Sequence, residues 1–317
     1  MSRLVTNPGD LPKEAWLPTL VRTVREFKED KLNHWAAALT YYSVLSLFPA
    51  LVVLLSLVRL LADPAAVTKF LMDLIASLGP SSAVDTFKGP IEDLARNRAS
   101  AGVMALVGVA AALWSASGYV SAFTDAANVV YEVDEGRPFW KLKPLQVLVT
   151  FVCITLVAVT TLALVLSGPV AKRIGDALGV SDVAVTLWQY CKWPVMLGVV
   201  LLILHVLHYM LPNAQVKRPW ISRGVVLTLV VWIVASVAFA FYVANFSSYD
   251  KVYGSMGGVV VFLLWLWLTN IAVLLGIEFN AETERTREVH AGVRDAEEEL
   301  KLPERERPEH EHRPQAA

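Results

Sequence analysis

Two histidines, His205 and His208, lie three residues apart within a long apolar stretch and are the side chains best suited to proton or metal chemistry. Their spacing places both on one face of a helix. Ionisable groups inside a membrane usually mark a cavity, a proton path or a ligand site. A metal site needs further Cys, His, Asp or Glu ligands, and no third one follows at motif spacing. We interpret the pair as a polar patch facing other helices, and predict no metal ion and no cofactor.

Other polar side chains interrupt apolar stretches near the start and the end of the chain. Hydroxyl groups cluster around Tyr41 and Ser46, and a proline follows them. Proline removes one helical hydrogen bond, which neighbouring groups must replace. Such residues either line a cavity or bury one another in pairs between helices. We predict a shared cavity, open to one leaflet, lined by Tyr41, Tyr42, Ser46, Pro49, His205, His208 and Asn270.

No catalytic motif accompanies these residues. The chain contains no phosphate-binding glycine loop with its lysine, no HExxH sequence, no paired cysteine ligands and no GxSxG elbow. We therefore predict that the protein is not an enzyme and has no catalytic residues. A second set of polar residues is predicted to lie at the cytoplasmic face: Arg137, Asn213, Glu278 and Asn280.

Six uncharged stretches, each of 24 residues or more, must position these side chains. A helix of about 20 apolar residues crosses the hydrocarbon core of a bilayer. Hydrophobic residues make up 55% of the chain and charged residues 18%, which agrees with this interpretation. The sequence predicts an all-α membrane protein with a bundle of six transmembrane helices. The stretches are Trp35–Val58, Ala99–Thr124, Pro144–Ala171, Trp193–Val216, Gly224–Tyr249 and Val252–Ile277.

The distribution of lysine and arginine predicts the orientation. The two tails and the second and fourth loops carry 19 of these residues, and the opposite side carries nine. Basic residues near span ends and in short loops favour the cytoplasm. We therefore expect both termini in the cytoplasm.

Three segments outside the spans also have recognisable patterns. Residues 17–32 form a basic amphipathic helix, which lies either on an anionic leaflet or against the underside of the bundle. We expect residues 63–98 to form an outer loop with amphipathic helices, which serves as a structural lid, as a gate or as a docking surface for an envelope protein. The predicted divisions are a cytoplasmic tail over 1–34, a membrane domain over 35–282 and a polar, partly disordered tail over 283–317.

Several motifs resemble the YihY/virulence factor BrkB family of bacterial inner-membrane proteins. They cover residues 20–282 in the order expected for that family. The matching segments are AAALTYYSVLSLFPAL (36–51), LWSASG (113–118), NVVYEVDEGRPFW (128–140), HYMLPN (208–213) and YGSMGGVVVFLLWLWLTNIAVLLGIEFNAE (253–282).

The resemblance implies a six-span bundle in the bacterial inner membrane that transports or handles a lipidic or amphipathic envelope substrate. A membrane scaffold for envelope assembly is the alternative that it also allows. The older name ribonuclease BN implies a nuclease, yet the loops offer only scattered Asp and Glu rather than a metal-binding set. We accordingly expect membrane lipids as partners and no nucleic acid.

Overall fold

Seven helices make up the described part of the chain in a computed structural model, which covers residues 15–61, 101–165, 182–216, 222–245 and 257–307. Within these ranges the only β contact is an isolated bridge between Ala214 and Glu304. The predicted outer loop over 63–98 lies outside them, so its helices stay a prediction. The helices are α1 (Trp16–Glu29), α2 (Leu32–Leu61), α3 (Ala101–Val130), α4 (Phe139–Val165), α5 (Asp182–Met210), α6 (Arg223–Asn245) and α7 (Gly257–His290).

Five of the described helices are long and apolar enough to cross a membrane. This follows from length and composition, because a helix rises about 1.5 Å per residue. The qualifying segments are Val107–Val130, Phe139–Thr160, Thr186–Met210, Arg223–Ala244 and Gly257–His290. The predicted all-α membrane fold is confirmed at this level. Helix α2 is 30 residues long and contains the first uncharged stretch.

Helix α7 holds the bundle together, because it packs against α1, α2, α3 and α6. Helices α2 and α3 also pair along their lengths, and α4 lies against α2, α3 and α5. Close approach between α6 and α7 depends on two glycines. A methyl group on Gly224 would lie 2.0 Å from the Gly276 carbonyl oxygen, and one on Gly276 would lie 1.8 Å from the Thr228 hydroxyl.

The buried core occupies one end of the bundle, which we call the base. It is formed where α2 begins, α3 ends, α5 ends and α7 ends. Fully buried side chains there include Leu39, Phe123, Tyr131, Leu211 and Ile277. Further from the base, the same helices expose many large apolar side chains, as expected where a helix faces lipid.

The segment after α7 returns to the base. Helix α7 continues through the predicted domain boundary at 282 and ends at His290. Gly292 and Asp295 then adopt left-handed backbone angles, with φ of 74° and 61°. Residues up to 307 follow the surface of the base and reach the bridge at Ala214.

Candidate functional site

A cavity of about 420 Å³ lies among six helices, between the base and the far end of the bundle. Each of α2 to α7 contributes to its wall, and none of the described residues that line it is charged. At its rim Leu47 is 42% exposed, so the cavity reaches the outer surface of the bundle beside α2. Apolar side chains of the wall include Val120, Ile154, Ile203, Leu207, Trp232 and Val273.

Six hydroxyl-bearing side chains also line the cavity: Ser43, Ser46, Tyr119, Thr150, Thr228 and Thr269. Several hydroxyls are held by the helix that carries them. Ser46 donates to the Ser43 carbonyl at 2.9 Å, and Thr150 donates to the Gln146 carbonyl at 2.7 Å. Each such oxygen keeps lone pairs that can accept a further hydrogen bond. The cavity wall is therefore mostly apolar, with a few hydroxyl groups that can accept weak hydrogen bonds.

Asn270 lies immediately behind this wall and joins three helices. It is 3% exposed. Its side-chain oxygen accepts from the Tyr119 hydroxyl at 3.0 Å, and its nitrogen donates to the Thr40 hydroxyl at 3.2 Å. Because Tyr119 itself lines the cavity, Asn270 fixes the position of one wall residue. Its side chain packs between helices rather than lining the cavity.

The two histidines are placed differently from each other. His208 is fully buried, and its Nδ1 lies 3.3 Å from the side-chain nitrogen of Asn280. The Asn280 oxygen accepts from the Gly224 backbone at 2.9 Å, close to the contact of α6 with α7. His205 is half-buried, with its ring 4.9 Å from that of Tyr209. Neither histidine lines the cavity wall.

The remaining candidates of the first span lie at several positions around α2. Ser46 lies on the cavity wall. Tyr41 is 61% exposed on the outside of the bundle, and the Tyr42 ring lies beside Gly118 of α3. Pro49 is half-buried inside α2. That Tyr41, Tyr42 and Pro49 line a substrate cavity together with Ser46 stays a prediction.

Arg137 was predicted to lie at the cytoplasmic face. In the structure its side chain organises the loop between α3 and α4. It is buried and pairs with Glu135 through two hydrogen bonds of 2.6 and 2.7 Å. It also donates to the Leu211 carbonyl at 2.6 Å. Burial alone would raise the pKa of Glu135, but the hydrogen bonds from Arg137 and Asn128 lower it. The ion pair thus holds Arg137 in place within the loop, and its bond to Leu211 ties the loop to the end of α5.

Asn213 connects the same loop to the C-terminal segment. Its backbone donates to the Asn128 side chain at 2.8 Å, and its side-chain nitrogen donates to the carbonyls of Asp134 and Glu306 at 2.7 and 2.8 Å. Arg305 adds a bond to the Ala214 carbonyl at 3.1 Å. These bonds fasten residues 303–307 across the base.

A second buried ion network surrounds Arg285 of α7. This side chain donates to Glu282 at 2.8 Å and to Glu132 at 2.7 Å. Glu132 also accepts from the Leu300 backbone at 2.7 Å. On the other side Arg22 of α1 lies 3.5 Å from Glu282. The network joins α1, α3, α7 and the C-terminal segment.

Two acidic groups lie near this network without a dedicated cation among the described residues. Glu278 is 1% exposed, and its Oε2 has no hydrogen-bond partner in the same part of the chain. Asp30 follows the last residue of α1, where burial and the nearby Glu26 and Glu132 raise its pKa to about 6. Across the described ranges, no three His, Cys, Asp or Glu side chains converge closely enough to hold a metal ion.

Sequence reasoning did not single out most of the cavity wall. Tyr119, Thr150, Thr228 and Thr269 are polar residues in apolar stretches, as Asn270 is. Threonine and tyrosine are also ordinary constituents of apolar helices, so their type alone gives little signal. The signal that was available is that the apolar stretches carry hydroxyls on α3, α4 and α6 as well as on α2.

Comparisons with known proteins give a consistent result. The profile of the family described as Virulence factor BrkB matches residues 23–301. The ribonuclease-like protein YfkH of Bacillus subtilis is 31% identical over 246 residues, which cover 78% of this chain and 88% of that protein. The UPF0761 membrane protein NTHI0384 of Haemophilus influenzae is 26% identical, covering 80% of this chain and 90% of that protein.

A UPF0761 membrane protein of Alkalilimnicola ehrlichii is also 26% identical; the match covers 80% of this chain but 55% of that longer relative. No solved structure matches. The family resemblance indicated by the motifs is thereby confirmed.

Proposed function

The chain belongs to the virulence factor BrkB family of membrane proteins, and from that premise we propose that it binds a lipid-like, amphipathic envelope molecule in the central cavity and moves it within or across the bilayer. The observation that carries this proposal is the uncharged cavity of about 420 Å³ among the helices. Small-molecule sites in proteins typically measure about 300–1,000 Å³ and are mostly apolar with a few polar groups.

The chemistry of the wall favours an acyl chain as the part of the ligand that enters. Burying apolar surface contributes about 25 cal/mol per Å². Ile203, Leu207 and Val273 supply such surface. The hydroxyls of Ser46, Thr150 and Thr269 supply weak hydrogen bonds to an ester or hydroxyl group near the head of the molecule. The exposed rim at Leu47 gives a route of entry from the bilayer.

We further propose a topology of six spans with both termini in the cytoplasm. Helix α2 is taken as the sixth span beside the five that qualify by length and hydropathy. The basic residues favour both termini in the cytoplasm of the inner membrane, with 1–34 and 283–317 as the cytoplasmic parts. Residues 63–98, on the outer side, remain the proposed docking surface for an envelope protein. A single cysteine at Glu297 and another at Ser82 would then label from opposite sides of intact cells.

A photo-crosslinking experiment tests the binding proposal. The purified protein is reconstituted with a phospholipid that carries a diazirine in its acyl chain, and crosslinked peptides are identified by mass spectrometry. We expect crosslinks in the peptides that contain Ser46, Cys153 and Thr269. Ile203→Trp, which fills the cavity, should abolish them, whereas Leu202→Trp on the exposed side of the same helix should not.

Other outcomes of that experiment would favour another function. Crosslinks spread evenly over exposed apolar residues, with no effect of Ile203→Trp, would contradict a lipid site and favour a scaffold without transport. The ribonuclease-like name belongs to the Bacillus subtilis relative. We propose that the present chain is not an enzyme. Degradation of RNA by purified protein that is lost in Glu278→Ala would overturn that proposal.

A further inference from the structure

Helix α1 turns its polar side towards the protein. Thr19 and Thr23 are 2% and 1% exposed, and the Thr19 hydroxyl lies 3.0 Å from the Thr286 hydroxyl of α7. Arg22 contacts Glu282 on the same side. An amphipathic helix on a soluble core normally buries its apolar side instead. In α1 the side towards α7 is instead largely polar, although the Trp16 ring lies 6.1 Å from that of Phe279 and Phe27 packs on the core.

The outward side of α1 is a stripe of large apolar side chains. They recur at spacings that place them on one face of a helix. Leu17 is 71% exposed and Val21 is 63% exposed. A contiguous exposed patch of this kind usually marks contact with a membrane or a partner. The stripe consists of Trp16, Leu17, Leu20, Val21 and Val24.

The stripe adjoins the surface of α6 that faces lipid. Arg223, the first residue of α6, lies over the Trp16 ring at 4.7 Å. Helical spacing puts Arg223 on the same face as a row of exposed valines on α6. Tryptophan and arginine with this arrangement are typical of the boundary between hydrocarbon and head groups. The valines are Val226, Val230, Val234 and Val237.

The polar flank of the stripe carries basic residues. Lys28 and Lys31 are exposed close to the end of the helix. Arg25 is also exposed on this flank, where it pairs with Glu26 at 2.7 Å and with Glu29 at 3.7 Å. Basic residues near an anionic leaflet contribute about 1 kcal/mol each. An apolar stripe flanked by basic residues, continuous with a lipid-facing surface, fits the head-group region of a bilayer with anionic lipid.

We propose that α1 is an interfacial helix whose apolar stripe lies in the leaflet on the basic side of the protein, the side assigned to the cytoplasm, and binds anionic lipid there. Its polar side at the same time packs on the end of α7. The helix thus separates the ion network of the base from the hydrocarbon. This inference is independent of the proposed substrate cavity.

Spin labels on full-length protein test the proposal. Cys153 and Cys191 are first replaced by alanine, and one cysteine is introduced at Val21 or at Glu29, the exposed control site. The protein is placed in nanodiscs of phosphatidylethanolamine with phosphatidylglycerol. We expect the Val21 label to collide with oxygen several-fold more often than with a water-soluble nickel chelate. The Glu29 label should show the opposite preference.

Each other result contradicts the proposal. Access of nickel to the Val21 label would show that the stripe lies in water. Protection from both reagents, with dipolar broadening between labels, would show that a second copy covers the stripe. If removal of phosphatidylglycerol leaves the oxygen-to-nickel ratio at Val21 unchanged, the anionic-lipid part of the proposal is wrong.

Discussion

The base and the cavity region are built from the same helices but are held together by different forces. In the base, Arg285 of α7 pairs with Glu282 of its own helix and with Glu132, just after α3. Arg137 pairs with Glu135 within the loop between α3 and α4, and donates to the Leu211 carbonyl just after α5. Around the cavity, the described wall residues carry no charge, and several hydroxyls bond only within their own helix. The base is therefore held by directional hydrogen bonds and ion pairs, whereas the helices around the cavity are held by apolar packing that leaves a cavity.

This difference suggests different roles for the two regions: the base fixes the fold, and the cavity region is suited to adapt to a ligand under the proposed function. Charge-assisted hydrogen bonds have narrow geometric requirements, so the bonds from Arg285 to Glu132 and from Arg137 to the Leu211 carbonyl keep the helix ends in register. Apolar side chains can change rotamer at low cost when space adjoins them. Under the proposed function, the cavity region would adapt to the shape of the bound molecule while the base stays unchanged.

The largest expected change in the free energy of unfolding comes from removing Arg285, the cation at the centre of the buried ion network in the base. In Arg285→Met, the buried Glu282 and the partly buried Glu132 lose their shared partner. Breaking a buried pair in this way costs about 3–5 kcal/mol. Reversible unfolding in mixed micelles measures the loss. The exposed Arg25→Met serves as control and should leave the free energy of unfolding almost unchanged, because surface ion pairs contribute little. Equal effects of the two changes would contradict the distinction.

A smaller loss is expected where α6 meets α7 in the base. In Gly276→Ala, the new methyl group would lie 1.8 Å from the Thr228 hydroxyl and 2.6 Å from the Gly224 carbonyl oxygen, so the helices must separate. Overpacking of this kind costs about 1–3 kcal/mol. Gly198→Ala meets nothing within 4 Å and should instead stabilise helix α5 by up to about 1 kcal/mol. Unfolding midpoints of the two variants should shift in opposite directions.

One pair of substitutions compares the base with the cavity on a single helix. Ala126 and Ala116 of α3 are both buried, but only Ala116 lines the cavity. Ala126→Leu should destabilise by about 1–3 kcal/mol, because no adjoining space receives the side chain. Ala116→Leu should change stability by less than about 1 kcal/mol and should reduce lipid crosslinking. If both changes destabilise equally, the cavity does not tolerate added volume.

The smallest effect concerns Asp30 and depends on pH. Its pKa is about 6 in the folded protein, above the ordinary 3.8, so folding favours the protonated form. The stability that this group contributes is present below about pH 4 and is lost as the pH rises through 6. Asp30→Asn should therefore stabilise at pH 7.5 by about 1 kcal/mol, a value reduced for partial exposure.

The pH profile of the Asp30→Asn effect is the measurement. The gain should shrink as the pH falls towards 4, whereas the exposed control Glu297→Gln should show no such trend. A gain that does not vary with pH would contradict the assigned pKa of Asp30.

The sequence predicted the membrane fold because soluble proteins rarely contain several long uncharged stretches in one chain. It also drew attention to Asn270 and His208, since amides and imidazoles are rare in such stretches. It did not reveal the cavity, because a cavity depends on which faces of six helices meet. Nor did it reveal the pairing of Arg285 with Glu132, since 153 residues separate them.

Helix α1 shows another feature that the sequence could not predict, namely which of its sides packs on the protein. Amphipathicity predicted a helix over 17–32, and the structure has one over Trp16–Glu29. The pattern left open whether the helix lies on lipid or on the bundle. Only the partners of Thr19 and Arg22 show that its polar side is the one that packs on α7.

Arg285 and Leu300 both bind Glu132, from 153 and 168 residues further along the chain. During synthesis, the end of α3 is made long before either partner exists. The Glu132 carboxylate therefore lacks the bonds that hold it in the folded base until residue 300 has left the ribosome. These bonds belong to a late step in the assembly of the bundle.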